Sequence, residues 1–264
     1  MKSREKTIRV GTHAVTSILL ALFLLTITGV NIPAAGLTGG EIMNRVDDNQ
    51  FIADGRIESE MIIIDRGRER VTEMIIFVQS DGQITNALVE FVNPRDRGTK
   101  YLLQDDELWM YFPDAEDLVR ISGHMLNQGM MGSDFSYQDT LESERLTELY
   151  NFEKEAEKIV NGRRVYVLNA IAREDQEPAY QHCRFWVDAE RFVVLQEEMY
   201  ARDGRLLKVL VTEEVKEVKK GRWLPTKVVM KNKLREGTET IYQINKIELD
   251  YPIPPGKISL EMLQ

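Results

Sequence analysis

Side chains able to run a reaction are few in this chain of 264 residues. Histidine occurs at His13, His124 and His182, and the one cysteine is Cys183, so general acid–base or thiolate chemistry has little to draw on. His182 and Cys183 are neighbours in sequence, and on a strand adjacent side chains leave opposite faces, which is poor geometry for a Cys–His pair. Asp105-Asp106-Glu107 and Asp114-Ala115-Glu116-Asp117 bring carboxylates together as a glycosidase or a calcium loop would, but their turn-like settings read as solvated loop charge. The chain has no G-x-S-x-G, H-E-x-x-H, C-x-x-C or phosphate-binding glycine loop. No catalytic constellation, metal site or cofactor is expected.

The other chemistry available is apolar recognition. Trp109, Met110, Tyr111 and Phe112 form the densest aromatic run and end at Pro113. If the run is a strand, either Trp109 and Tyr111 or Leu108, Met110 and Phe112 face a ligand, while the other set packs elsewhere. Met125, Leu126, Met130, Met131 and Phe135 make a second apolar group. Methionine is unbranched and adapts to variable apolar shapes, although it also fills ordinary core gaps, so packing remains the competing reading for both groups.

What must position these side chains is mostly β structure. Short β-rich runs at 57–64, 71–79, 87–92, 101–104, 108–112 and 119–121 are followed by a hairpin with arms 150–159 and 164–171. Further runs at 183–187, 192–200, 206–218, 223–233 and 238–249 are joined by turns such as Asn161-Gly162 and Asp203-Gly204. The pattern predicts a mainly β fold, an unclosed antiparallel β-barrel formed by a curled sheet of about 11 strands. Glu153, Glu155 and Glu157 alternate with Phe152, Lys154 and Ala156, giving one wet face. Ile62 to Ile64 and Met74 to Val78 are apolar on both sides, as expected where a sheet is covered twice or lines a cavity. Two segments break the pattern. Residues 38–51 carry Ile42, Met43 and Val46 at helical spacing, and 122–148 form a methionine-rich insertion in which Asp134 or Ser136 caps a helix bearing Leu141. Both are expected to act as lids over the concave side.

At the N-terminus, Lys2, Arg4, Lys6 and Arg9 precede an uncharged run from Ala14 to Val30 that ends in Ile32-Pro33-Ala34-Ala35-Gly36. This is the form of a cleaved secretory signal over 1–35, with a retained membrane anchor as the alternative. No cysteine follows to accept a lipid. Cleavage would leave one domain over 36–264, with a tail at 251–264, and would take the formal charge from −9 to about −12. Such an acidic surface repels phosphate backbones, which argues against nucleic acid as a partner.

Leu108-Trp109-Met110-Tyr111-Phe112-Pro113, followed by Val119-Arg120-Ile121-Ser122-Gly123 and Met131-Gly132-Ser133-Asp134-Phe135-Ser136-Tyr137, resembles the periplasmic outer-membrane lipoprotein-sorting family. This is the LolA/LolB-like superfamily, in its longer-chain branch. Phe91-x-x-Pro94-x-x-x-Gly98-Thr99 and Gly221-x-Trp223-x-Pro225-Thr226 fit the same pattern, which runs from about Asp47 to Tyr251. The resemblance implies a half-barrel with an apolar hollow under helices. It also implies a monomeric periplasmic carrier that takes lipoprotein acyl chains, or another lipid, from an inner-membrane transporter to an outer-membrane acceptor. Two alternatives stay open: a lipid-binding accessory of a resistance-nodulation-division exporter, and a stress-sensing module that docks a membrane regulator.

Overall fold

Hairpin after hairpin builds a single antiparallel sheet, but its strand order is not the order of the chain. The computed structural model describes residues 36–82, 84–143 and 146–263; the expected signal over 1–35 lies outside them. The first six strands are β1 (Asp54–Asp65), β2 (Arg68–Ser80), β3 (Thr85–Phe91), β4 (Lys100–Gln104), β5 (Glu107–Phe112) and β6 (Asp117–Ile121). After the insertion come β7 (Tyr150–Val160), β8 (Arg163–Ala172), β9 (His182–Asp188), β10 (Val194–Tyr200), β11 (Leu206–Lys219), β12 (Arg222–Asn232) and β13 (Thr238–Leu249). The sheet has 13 strands rather than about 11: every β-rich run read from the sequence, including the short β4, β5 and β6 of five or six residues each, pairs as a separate strand.

The spatial order is β6-β5-β4-β3-β2-β1-β13-β12-β11-β10-β9-β8-β7. The first and last strands therefore pair at the centre, with Met61 opposite Tyr242. β6 and β7, consecutive in sequence, become the two outer edges. The chain between them must cross from one edge to the other, and its described residues, 122–143 and 146–149, lie against the inner face. The local turns are simpler: β7 and β8 meet at Asn161-Gly162, both at positive φ (50° and 78°), the conformation a two-residue hairpin needs.

Each face of the first half of the sheet has its own cover. Met61, Ile63, Met74, Phe91, Tyr101 and Met110 point inward and pack against the insertion. Phe77, Leu88 and Leu102 point outward, where Tyr251, Ile253, Ile258 and Leu263 of the C-terminal tail lie over them. The apolar stretch Met74 to Val78 is thus explained by double coverage. Lys257 fastens the tail, bonding Glu90 at 2.7 Å and lying 4.6 Å from the Phe77 ring centroid. Leu263 is fully buried, so Leu263→Ala should cost about 2–5 kcal/mol, readable as a lower midpoint in urea unfolding with unchanged slope.

Helix α1 (Gly39–Gln50) covers the inner face of the second half. Thr38 starts it with a capping box: its hydroxyl accepts from Glu41 N–H at 3.2 Å, and the Glu41 carboxylate accepts from Thr38 N–H at 2.8 Å. Ile42, Met43 and Val46, one stripe at helical spacing, are fully buried with Leu168, Phe185 and Val187. At roughly 1.5–3 kcal/mol per buried side chain, this stripe anchors the helix far better than propensity would. A side chain at Gly39 would stand 2.6 Å from the Phe152 carbonyl oxygen, so glycine permits the close approach to β7.

Candidate functional site

Alternation along the central strands leaves one apolar face pointing into the concavity, and the crossing segment does not fill it. Between the two is a cavity of about 400 Å³. Its sheet side is built from Met61 on β1, Met74 and Ile76 on β2, Tyr242 and Ile244 on β13, Leu224, Val228 and Met230 on β12, and Leu210 on β11. Its roof comes from Met130, Phe135 and Leu146 of the crossing segment, and Ile52 after α1 closes one border.

The roof is shaped by local hydrogen bonds. Met130 N–H bonds the Phe135 carbonyl at 2.8 Å, closing a tight loop in which Met131 takes a positive φ of 51°. Ser136 then caps α2 (Tyr137–Glu142): its hydroxyl accepts from Asp139 N–H at 3.1 Å, and Asp139 accepts from Ser136 N–H at 2.7 Å. A single short turn, α3 (Leu146–Leu149), leads into β7.

Polar ties hold this roof to the sheet. Buried Asp134 accepts from the hydroxyls of Thr238 at 3.0 Å and Thr240 at 3.2 Å on β13, and Arg70 on β2 donates to the Met131 carbonyl. Asp139 accepts from Lys208 on β11 at 2.5 Å and from the Tyr180 hydroxyl at 2.6 Å. The Glu142 carboxylate accepts the Ala179 N–H at 3.0 Å.

One acid enters the cavity from the sheet itself. Glu197 on β10 lines the hollow, and its carboxyl is pushed up to about 8. Burial is the main cause, reinforced by the charges of Asp139 and Glu142 and opposed by a Cys183 hydrogen bond and by Lys208. Burial also raises the Cys183 thiol, which makes it a small inert core group. His182 leaves the other face of β9 and stacks on Tyr200 at 4.8 Å. Among the described residues no group of His, Cys, Asp and Glu is placed to hold a metal.

The residues singled out from sequence separate into distinct places. Met130 and Phe135 border the cavity. Met110, Met125, Leu126 and Met131 belong to the inner cluster beside it. Trp109 and Tyr111 do not border it: they pack on the outer face under the C-terminal tail, while Phe112 ends β5 exposed. Ile42, Met43 and Val46 lie wholly within the core of the second half. Most of the sheet side, including Glu197, Met199 and Met230, was not singled out. The signal for the apolar members was their alternation in β10 to β13; for Glu197 there was none, because Gln196-Glu197-Glu198 reads as a wet strand.

Comparison with other proteins follows the geometry. A family model described as that of an uncharacterized protein matches residues 83–264. The crystal structure of a DUF1329 family protein from Desulfovibrio piger is 25% identical with a TM-score of 0.79, aligned over 86% of this chain and 98% of its own. A structure described as an outer membrane lipoprotein-sorting protein domain, from Vibrio parahaemolyticus, is also 25% identical, with a TM-score of 0.74 over 85% and 97% of the two chains. The chain belongs to the LolA-like family. A LolA superfamily protein from Nitrosomonas europaea shares the fold at 19% identity, with a TM-score of 0.70 over 86% of this chain and 99% of its own. None of the curated proteins matches the sequence. In this LolA-like chain the open side of the half-barrel is covered by residues 122–143 and 146–149 and by α1, and the space left beneath them is the cavity just described.

Proposed function

We propose that this protein is a periplasmic carrier that shelters the acyl chains of a lipoprotein or other lipid in the cavity between its sheet and residues 122–149, and delivers them toward the outer membrane. The observation that carries the reading is the cavity itself: about 400 Å³, within the size of small-molecule sites, and lined chiefly by Met, Ile, Leu, Val and Phe side chains. An acyl chain crossing water exposes its methylenes at ~0.8 kcal/mol each, so a dozen cost on the order of 10 kcal/mol, and a dry hollow removes that cost. Binding of that strength needs a way out. The roof supplies one, because it is tied to the sheet by a few polar contacts and otherwise rests on adaptable methionines that can repack when cargo leaves.

A donor in the inner membrane and an acceptor in the outer membrane complete this reading, with the chain exported by the signal over 1–35. Among the described residues no helix is long and apolar enough to cross a membrane. The test is organic extraction of the protein purified from its own periplasm, followed by lipid mass spectrometry. Stoichiometric acyl lipid is the expected result; protein that is folded and lipid-free after gentle purification would overturn the proposal.

A further inference from the structure

The cavity has three carboxyls on its border, and two are already committed. Asp139 and Glu142, both on α2, serve the roof: Asp139 accepts from Lys208, Tyr180 and Ser136, and Glu142 accepts from Ala179 N–H. Glu197 differs in origin and in partners. It rises from the sheet, on β10, among Val194, Met199, Leu210 and Met230, and its carboxyl meets the Cys183 thiol, a weak donor. Burial, with the negative charges of Asp139 and Glu142, keeps the Glu197 proton on at neutral pH. The hollow therefore has an acid O–H entering from the sheet among apolar side chains, and among the described residues no carbonyl or carboxylate is hydrogen-bonded to it. Donors left unmatched in such surroundings cost free energy that a ligand can recover.

We infer that Glu197 is a specificity-determining residue of the cavity, donating its acid O–H to a carbonyl oxygen of the cargo, so that chains joined through an ester or amide are preferred over ether-linked chains. This rests on the carrier reading above. A carbonyl fits better than an ammonium group, because a cation would require two charges to be desolvated together, whereas a neutral acid and a carbonyl exchange a hydrogen bond without net charge. The same arrangement makes the preference depend on pH: once Glu197 ionises it offers only lone pairs and repels a carbonyl oxygen.

The probes are 1-oleoylglycerol and its ether analogue 1-O-oleylglycerol, titrated calorimetrically into the purified, delipidated protein. At pH 6.5 the ester should bind about five- to tenfold tighter, the value of one hydrogen bond, and the two should bind equally at pH 9. Asp139, Glu142, Lys208, Cys183, Tyr150 and Tyr180 also face this carboxyl, so Glu197→Gln is the control. It keeps a neutral donor in the same shape and should hold the ester preference at both pH values. Glu197→Leu should bind both lipids equally at either pH. Equal affinities in the unmodified protein at pH 6.5, or an ester preference that survives Glu197→Leu, would overturn the inference and leave the carrier reading standing; failure of both lipids to bind would overturn the two together.

Discussion

Met130→Asp should strip the protein of lipid without unfolding it. The Met130 side chain forms part of the cavity roof and packs with the inner cluster that contains Met61, Met74 and Met110. Its backbone does the structural work: its N–H bonds Phe135, while Arg70 and the Asp134 contacts with Thr238 and Thr240 hold the loop on either side. None of these uses the thioether. An aspartate here would bring a charge to the space the acyl chain occupies, and the chain would have to give up contact over several methylenes or bury the carboxylate. At ~0.8 kcal/mol per methylene, losing three or four corresponds to roughly a hundredfold weaker binding. Met130→Leu, which conserves volume and polarity, should retain lipid. Lipid mass spectrometry beside circular dichroism reads both properties. Undiminished lipid in a folded Met130→Asp protein would show that cargo does not lie under this roof.

Asp188→Ala should produce the largest loss of stability, about 3–5 kcal/mol in urea unfolding, because it breaks a buried charged network. The Asp188 side chain is fully buried at the end of β9. It accepts from Arg163, from Arg191 Nε at 2.9 Å, and from the backbone N–H groups of Glu190 at 3.0 Å and Arg191 at 2.9 Å. Burial by itself would raise this carboxyl; the Arg163 hydrogen bond, the two backbone donors and Arg191 outweigh burial and bring it down to about 2. The linkage sign follows. A carboxyl lowered on folding contributes stability that is complete above its ordinary value near 4 and is lost as pH falls toward 2, here about 2 kcal/mol. Glu197 acts in the opposite sense: raised on folding, it withdraws stability as pH climbs from about 4.5 to about 8. As pH is lowered from 5 to 2, unfolding midpoints should therefore fall steeply in the parent protein and less steeply in Asp188→Ala. A loss below 1 kcal/mol, or parallel pH curves, would mean the network is not a stabilising one.

How much of this was legible in the chain varies with the range of the interaction. The helix at 38–51 and a helix start at Asp134 or Ser136 were legible because capping and apolar spacing are decided within one or two turns, and the structure places α1 at Gly39–Gln50 and α2 at Tyr137–Glu142, capped by Ser136. The meander from β9 to β13 was legible because three of its four turns carry a glycine, in Asp203-Gly204, Lys220-Gly221 and Glu236-Gly237, that tolerates positive φ. The number of strands in the sheet was less so: thirteen runs were visible, but β4 and β6 have only five residues each in which to display the alternation of a paired strand. In the aromatic run, alternation divided Trp109 and Tyr111 from Leu108, Met110 and Phe112 but gave no means of choosing the inner set.

By itself, then, the chain determined a mainly β, hairpin-built protein with an apolar, methionine-rich crossing segment and little catalytic chemistry, because these are properties of local spacing and composition. Only the tertiary structure decided that β1 pairs with β13, that β6 and β7 become opposite edges, and that residues 122–149 must bridge them over a hollow. It also decided that Trp109 and Tyr111 pack on the outer face with the C-terminal tail, away from the cavity, and that Glu197 stands beside the acids of α2. Contacts between residues a hundred or more positions apart depend on which faces remain uncovered after the local elements have formed, and no window of sequence contains that information.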